Sequence, residues 1–234
     1  MLLKKYLKPL LFELKEHIPF TALGAVSGVI FMLLFRNLNQ SAAHTLFSIF
    51  HPTHVLIGAM VTSAMFKLHR SKTNFMVVLV VGYIGSVGIA TLSDSVIPYF
   101  GEKVLGLHIP SEHEIHHSST APAAAAEHNH IGEVHLGFIE EWYLVNPAAI
   151  LGIIFAWFVP QTKLPHAAHI LISTWASSSH VLMTAQNEIT FTVAMSMLLI
   201  LFLSTWLPCC VSDIIFPLLL ANEPRQNGTH NRCH

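Results

Sequence analysis

A chain of 234 residues that is 53% hydrophobic and only 11% charged lacks the composition of a soluble domain, in which charged residues make up about 25%. Its mean hydropathy of +0.56 points to lipid as the solvent, and a formal net charge of -1 excludes the basic surface that nucleic acid binding needs. Of the three cysteines, Cys209 and Cys210 are adjacent and Cys233 is near the end, so no disulfide framework is implied.

Residues 1–17 interleave Lys4, Lys5, Lys8 and Lys15 with Leu and Phe. They lack the small-residue cleavage site of a signal peptide and read as an interfacial amphipathic helix. A helix needs about 20 apolar residues to cross a hydrocarbon core of about 30 Å. Six stretches approach that: 18–35, 52–66, 75–98, 142–160, 165–183 and 191–220. The second is short, and 41–50 before it reads as a separate interfacial piece. The last holds Pro208 and Pro217, which predict a break or kink.

The expected fold is an all-α integral membrane protein of six transmembrane helices. Residues 18–100 would form one three-helix unit, 101–141 a long outer loop, 142–220 a second three-helix unit, and 221–234 a cytoplasmic tail. With both termini in the cytoplasm, Lys4, Lys5, Lys8, Lys15, Lys67, Arg70, Lys72, Lys163, Arg225 and Arg232 fall on the inner side. Only Arg36 and Lys103 fall on the outer side. This bias obeys the positive-inside rule and suits a cell inner membrane.

The two units repeat one pattern. His51-Pro52-Thr53-His54 opens the second predicted span and His166-Ala167-Ala168-His169 the fifth. Ser93-Asp94-Ser95-Val96-Ile97-Pro98 closes the third, and Ser212-Asp213-Ile214-Ile215-Phe216-Pro217 the sixth. Each unit therefore reads HxxH, a hydrophobic span, then SDxxxP, and Asp94 and Asp213 are the only aspartates in the chain. Three spans is an odd number, so the units would be inverted repeats, an arrangement many transporters use for alternating access.

Ionisable groups inside a span usually mark a path or site. On a helix, residues i and i+3 share a face, so each HxxH offers two imidazoles, and an aspartate from a neighbouring span completes a two-His, one-carboxylate set suited to zinc and other divalent transition metals. The expectation is two metal stations, His51, His54 and Asp94 near the outer face and His166, His169 and Asp213 near the inner face. They would approach the midplane if the prolines break their helices. The same motifs would also suit helix ends, where Asp bonds its own backbone, or fasteners between spans.

His180 lies on nearly the same face of the fifth span as His169 and could extend the path outward. Cys209 and Cys210 precede Asp213 and could add thiolate ligands for zinc or copper, or serve as small buried hydrophobes. The outer loop gathers His113, His116, His117, His128, His130 and His135, a composition suited to weak metal capture, and Glu140 and Glu141 could form the mouth of a cation path.

The function these residues imply is a secondary transporter of a divalent transition metal, possible proton coupling included, because a metal must displace protons from its ligands. Zinc is the best single choice, and manganese, iron, nickel, cobalt and copper are compatible. No GxxxxGK[ST] nucleotide loop is present. A membrane-embedded metalloenzyme would use the same residues if the two sets converged on paired ions. A proton-coupled carrier of a small solute would use the aspartates alone, and a haem protein would use histidines from two helices. Besides metal ions and the lipid bilayer, a second copy of the chain is a candidate partner, because six spans enclose little internal volume.

Overall fold

The computed structural model describes residues 2–70, 72–106, 141–185 and 189–221. Among them the chain is helical, in six rods: α1 (Leu2–Phe35), α2 (Gln40–Leu68), α3 (Phe75–Val104), α4 (Trp142–Phe158), α5 (Lys163–Ala185) and α6 (Phe191–Ala221). Asn39 caps α2 by accepting from the Ala42 amide at 2.8 Å, Asn74 caps α3 from Val77, and Thr190 caps α6 from Val193. Past the end of α3, Gly106 takes φ +67°, the left-handed conformation glycine adopts without penalty.

Four rods are long and apolar enough to cross a membrane: the 17–35 part of α1, then α2, α3 and α6. Helix α4 is apolar but has 17 residues, and α5 is diluted by a polar stripe. The protein is turned inside out relative to a soluble one. Phe20, Leu23, Leu34, Met76, Phe158, Phe191 and Leu199 are exposed, while Thr62, Ser93, Asp94, Ser173, Ser177, Ser204 and Asp213 are fully buried. An apolar exterior around a polar interior points to a membrane protein, where lipid rewards the first and shelters the second.

Several boundaries differ from those expected. The interfacial piece at 41–50 and the short span at 52–66 are one helix, with Pro52 inside it. Pro52 has no N–H to give the Ser48 carbonyl, yet apolar surroundings leave the backbone no better partner than its own helix. Helix α1 likewise runs on from the basic segment into the span without a break. Helix α3 continues beyond Pro98 to Val104, and α6 passes both Pro208 and Pro217.

Those prolines act on the helix form instead of ending it. Pro98 and Pro217 each follow an aspartate by four residues, so neither can donate the usual α-helical bond to the aspartate carbonyl. The turn widens: Leu92–Val96 and Val211–Ile215 are π-helical, with the Ile97 amide bonded to the Leu92 carbonyl and the Phe216 amide to that of Val211. Asp94 and Asp213 sit in the middle of these wide turns.

Helix α2 packs on both α4 and α5, and α1 packs on α5 and α6. The approach of α4 to α2 depends on Gly152, since a Cβ there would overlap the Leu56 carbonyl. One apolar cluster, with Met32, Leu182, Met183, Met197 and Leu201, joins α1, α5 and α6. A second, with Phe66, Val78, Val81 and Ile153, joins α2, α3 and α4. The polar interior lies where α2 and α5 meet the π turns of α3 and α6.

Candidate metal centre

Because α2 is continuous from Gln40, His54 lies fourteen residues from each of its ends, at the middle of the helix. From there each HxxH pair meets the aspartate of its own unit. His51 Nδ1 donates to Asp94 Oδ2 at 2.9 Å and His54 Nδ1 to the same oxygen at 2.6 Å. His166 Nδ1 donates to Asp213 Oδ2 at 2.9 Å and His169 Nδ1 at 2.7 Å. A carboxylate oxygen only accepts, so each bond places the imidazole proton on Nδ1 and leaves the Nε2 lone pair directed away from the aspartate. Carboxylates used in this way orient histidine ligands and raise their basicity.

The two sets adjoin each other. The His54 and His169 rings lie 4.4 Å apart, tilted by 36°, and Cys209 Sγ stands 3.9 Å from His54 Nε2. Ligand atoms of His54, His169 and Cys209 all fall within 4.8 Å of one another, and all three residues are buried, so the group could hold a metal ion. Two stations near opposite faces are therefore not what the chain forms; one cluster spans both units at the α2–α5 contact. Two imidazoles and one sulfur suit zinc or copper, and three protein ligands leave a position open.

Neighbouring groups tune this centre. The Cys209 thiol points to Ser173 Oγ at 3.7 Å, and Ser173 Oγ donates to Asp94 Oδ1 at 3.3 Å. Ser93 Oγ donates to that oxygen at 2.8 Å. Asp213 Oδ1, by contrast, has no partner among the described residues, and neither do His51 Nε2 and His166 Nε2. Counting on equally from the two HxxH motifs, Ser173 corresponds to Gly58, which has no hydroxyl to give. A Cβ at Gly58 would lie 2.8 Å from His169 Nε2, so the glycine keeps space open at a prospective ligand atom. The matching positions do agree one turn on: Thr62 Oγ1 donates to the Ser212 carbonyl at 3.3 Å and Ser177 Oγ to the Ser93 carbonyl at 3.1 Å.

The remaining residues singled out from the sequence are placed as follows. His180 lies farther along α5, with its Nδ1 3.2 Å from Glu102 Oε1. Cys210 is buried beside Cys209 at the end of the helical stretch before the π turn. Glu141 is buried at the start of α4 and accepts from Ser48 Oγ. Glu140, His113, His116, His117, His128, His130 and His135 lie outside the described residues. Sequence reasoning missed Glu102, because Pro98 was read as the end of the span, and His17, whose ring meets His166 edge-on at 4.6 Å. Gly58 offered one signal: it lies one turn after His54 on the same face.

No known protein family, curated protein or solved structure matches the chain.

Proposed function

We propose that the protein carries a divalent transition-metal ion, with zinc as the best choice, through the buried centre formed by His54, His169 and Cys209. The observation that carries this reading is the convergence of one histidine from each pair, His54 and His169, each backed by a carboxylate, with one thiol deep inside an apolar exterior. Ionisable groups at such depth are costly unless they serve an ion path. All six rods would cross the bilayer; α4, at about 1.5 Å per residue, falls short by little, and its exposed Trp142 and Tyr143 suit an interface. The units formed by α1–α3 and α4–α6 would be inverted, both termini inside. The paired Thr62–Ser212 and Ser177–Ser93 contacts support that relation. An ion at the seam between inverted units is the arrangement from which rocking exposes one site to either side in turn.

The test is zinc binding and zinc uptake by purified protein in proteoliposomes. Wild type should bind zinc and accumulate it above empty vesicles, and the double variant His54→Ala/His169→Ala should lose both. Undiminished binding by that variant, or wild-type uptake no greater than that of empty vesicles, would overturn the reading. A metalloenzyme is the second reading, favoured by the two further unpartnered imidazole nitrogens of His51 and His166. It requires two ions bound per chain, about 3.5–4 Å apart, and no net uptake.

A further inference from the structure

The cluster does not end at His51. The Phe47 ring stacks on the His51 ring at 5.0 Å, with 8° between planes, and meets the His180 ring edge-on at 5.8 Å. Beyond it, His180 Nδ1 lies 3.2 Å from Glu102 Oε1, and both side chains are almost wholly buried. The second carboxylate oxygen of Glu102, Oε2, is buried and has no partner among the described residues. One aromatic ring therefore separates the His51–Asp94 pair from a second acid–imidazole pair.

Helix α5 ties the two together. His166, His169, Ser173, Ser177 and His180 follow one another at spacings of three or four, which forms a single stripe about 21 Å long at 1.5 Å per residue. Each of these residues meets a polar group of α3 or α6: Asp213 for the first two, then Asp94, the Ser93 carbonyl and Glu102. Glu102 lies on α3 two turns beyond Asp94, so α3 and α5 together carry both pairs. Two ligands are too few to hold a metal in a closed site. A carboxylate with a spare oxygen beside an imidazole is, however, a complete donor–acceptor pair for one proton.

Resting on the transport reading above, we propose that Glu102 and His180 form the site of the coupling proton, distinct from the ion site and divided from it by Phe47. The proton would enter the pair from the side away from the metal. It would be released as the α3–α5 contact changes on metal loading, with no covalent step. Other titratable groups at this end are His44 and Glu141, both in contact with Ser48 on α2, Tyr99 and the exposed Lys103 on α3, and the His51–Asp94 pair on the other side of Phe47.

The experiment uses the full chain in proteoliposomes with a pH-sensitive dye inside and zinc outside. Wild type should move protons against zinc. Glu102→Gln keeps an oxygen for the His180 contact but cannot ionise. It should bind zinc within about three-fold of wild type and still exchange zinc for zinc. Its zinc-driven proton flux, and zinc accumulation driven by a pH gradient, should fall at least ten-fold. Glu102→Asp should recover part of both. Should Glu102→Gln fail to fold, His180→Gln serves, with the same expected pattern. Full proton coupling in either variant overturns the inference while leaving the ion site intact. Zinc transport by wild type without proton movement also overturns it, and absence of wild-type zinc transport removes both this inference and the reading it rests on.

Discussion

Gly58 offers the sharpest test of the centre, because a single methyl group there meets the atom proposed to hold the ion. A Cβ at position 58 would stand 2.8 Å from His169 Nε2 and 3.3 Å from its Cε1. Ordinary contact between such atoms begins at about 3.5 Å, so the ring must yield by about 0.7 Å. Metal–nitrogen bonds near 2.0–2.1 Å tolerate about 0.2 Å, and the Asp213 bond to Nδ1 restricts how the ring can swing. Gly58→Ala should therefore weaken zinc binding by about 10–100-fold, the range typical when a ligand loses its orientation. Folding should suffer little. Alanine gains about 0.8–1.0 kcal/mol over glycine inside a helix, against an overpacking cost of about 1–3 kcal/mol. Chelator-competition titration of the detergent-purified protein reads the affinity, and thermal unfolding without metal reads the fold. Gly152→Ala makes the contrast: its Cβ would strike the Leu56 carbonyl, which is rigid backbone, so it should lower Tm and leave the affinity of folded protein unchanged. A Gly58→Ala protein that binds zinc within two-fold of wild type would refute His169 Nε2 as a ligand.

Two further substitutions separate selectivity from support. Cys209→Ser removes the one soft donor of the centre but keeps a hydroxyl beside Ser173; uptake of zinc relative to manganese should fall about ten-fold in competition assays, since thiolate favours the softer ion, and an unchanged ratio would show that the thiol does not touch the ion. Lys67→Met removes a donor to the Trp157 carbonyl and a cation 4.5 Å from the centre of that ring; it should cost about 1 kcal/mol and lower Tm by about 2–4 °C, with zinc uptake unaltered. An unchanged Tm would mean that this contact does not secure the end of α4 to α2.

The membrane character was legible because it is a property of composition, and the pairing of each HxxH with its own aspartate because rare residues recur in one order. Position along the helices was not legible. Pro52 and Pro98 looked like boundaries, since in water a proline usually ends a helix; in an apolar setting the chain keeps its internal hydrogen bonds and passes through. That one difference moves His54 from near a helix end to the middle of α2, and brings Glu102 inside α3. The role of the aspartates was also hidden. Spacing alone shows that an acid and two imidazoles can meet, but which nitrogen faces the acid depends on the π turns. Asp94 and Asp213 sit in those turns and accept from Nδ1 of the rings, while His54 Nε2 lies 3.9 Å from Cys209 Sγ.

The two units match in their histidines and aspartates but not around them, and the differences bear on where an ion would rest. Equal halves would favour a point midway between the His54 and His169 rings. Cys209 has Ala90 as its counterpart, so sulfur comes from one side only. Ser173 has Gly58, so Asp94 accepts from two hydroxyls at Oδ1 while Asp213 Oδ1 accepts from none of the described residues. A saturated carboxylate spreads its charge over more bonds, whereas a less saturated one leaves more for the imidazoles it orients. The His169 side thus has the less saturated carboxylate behind it, and it is also where Gly58 leaves room. Both effects would favour a cation nearer His169 than the midpoint, with the Cys209 thiol within reach. Replacing Ala90 by cysteine and Gly58 by serine would make the surroundings more alike, at the expense of that bias.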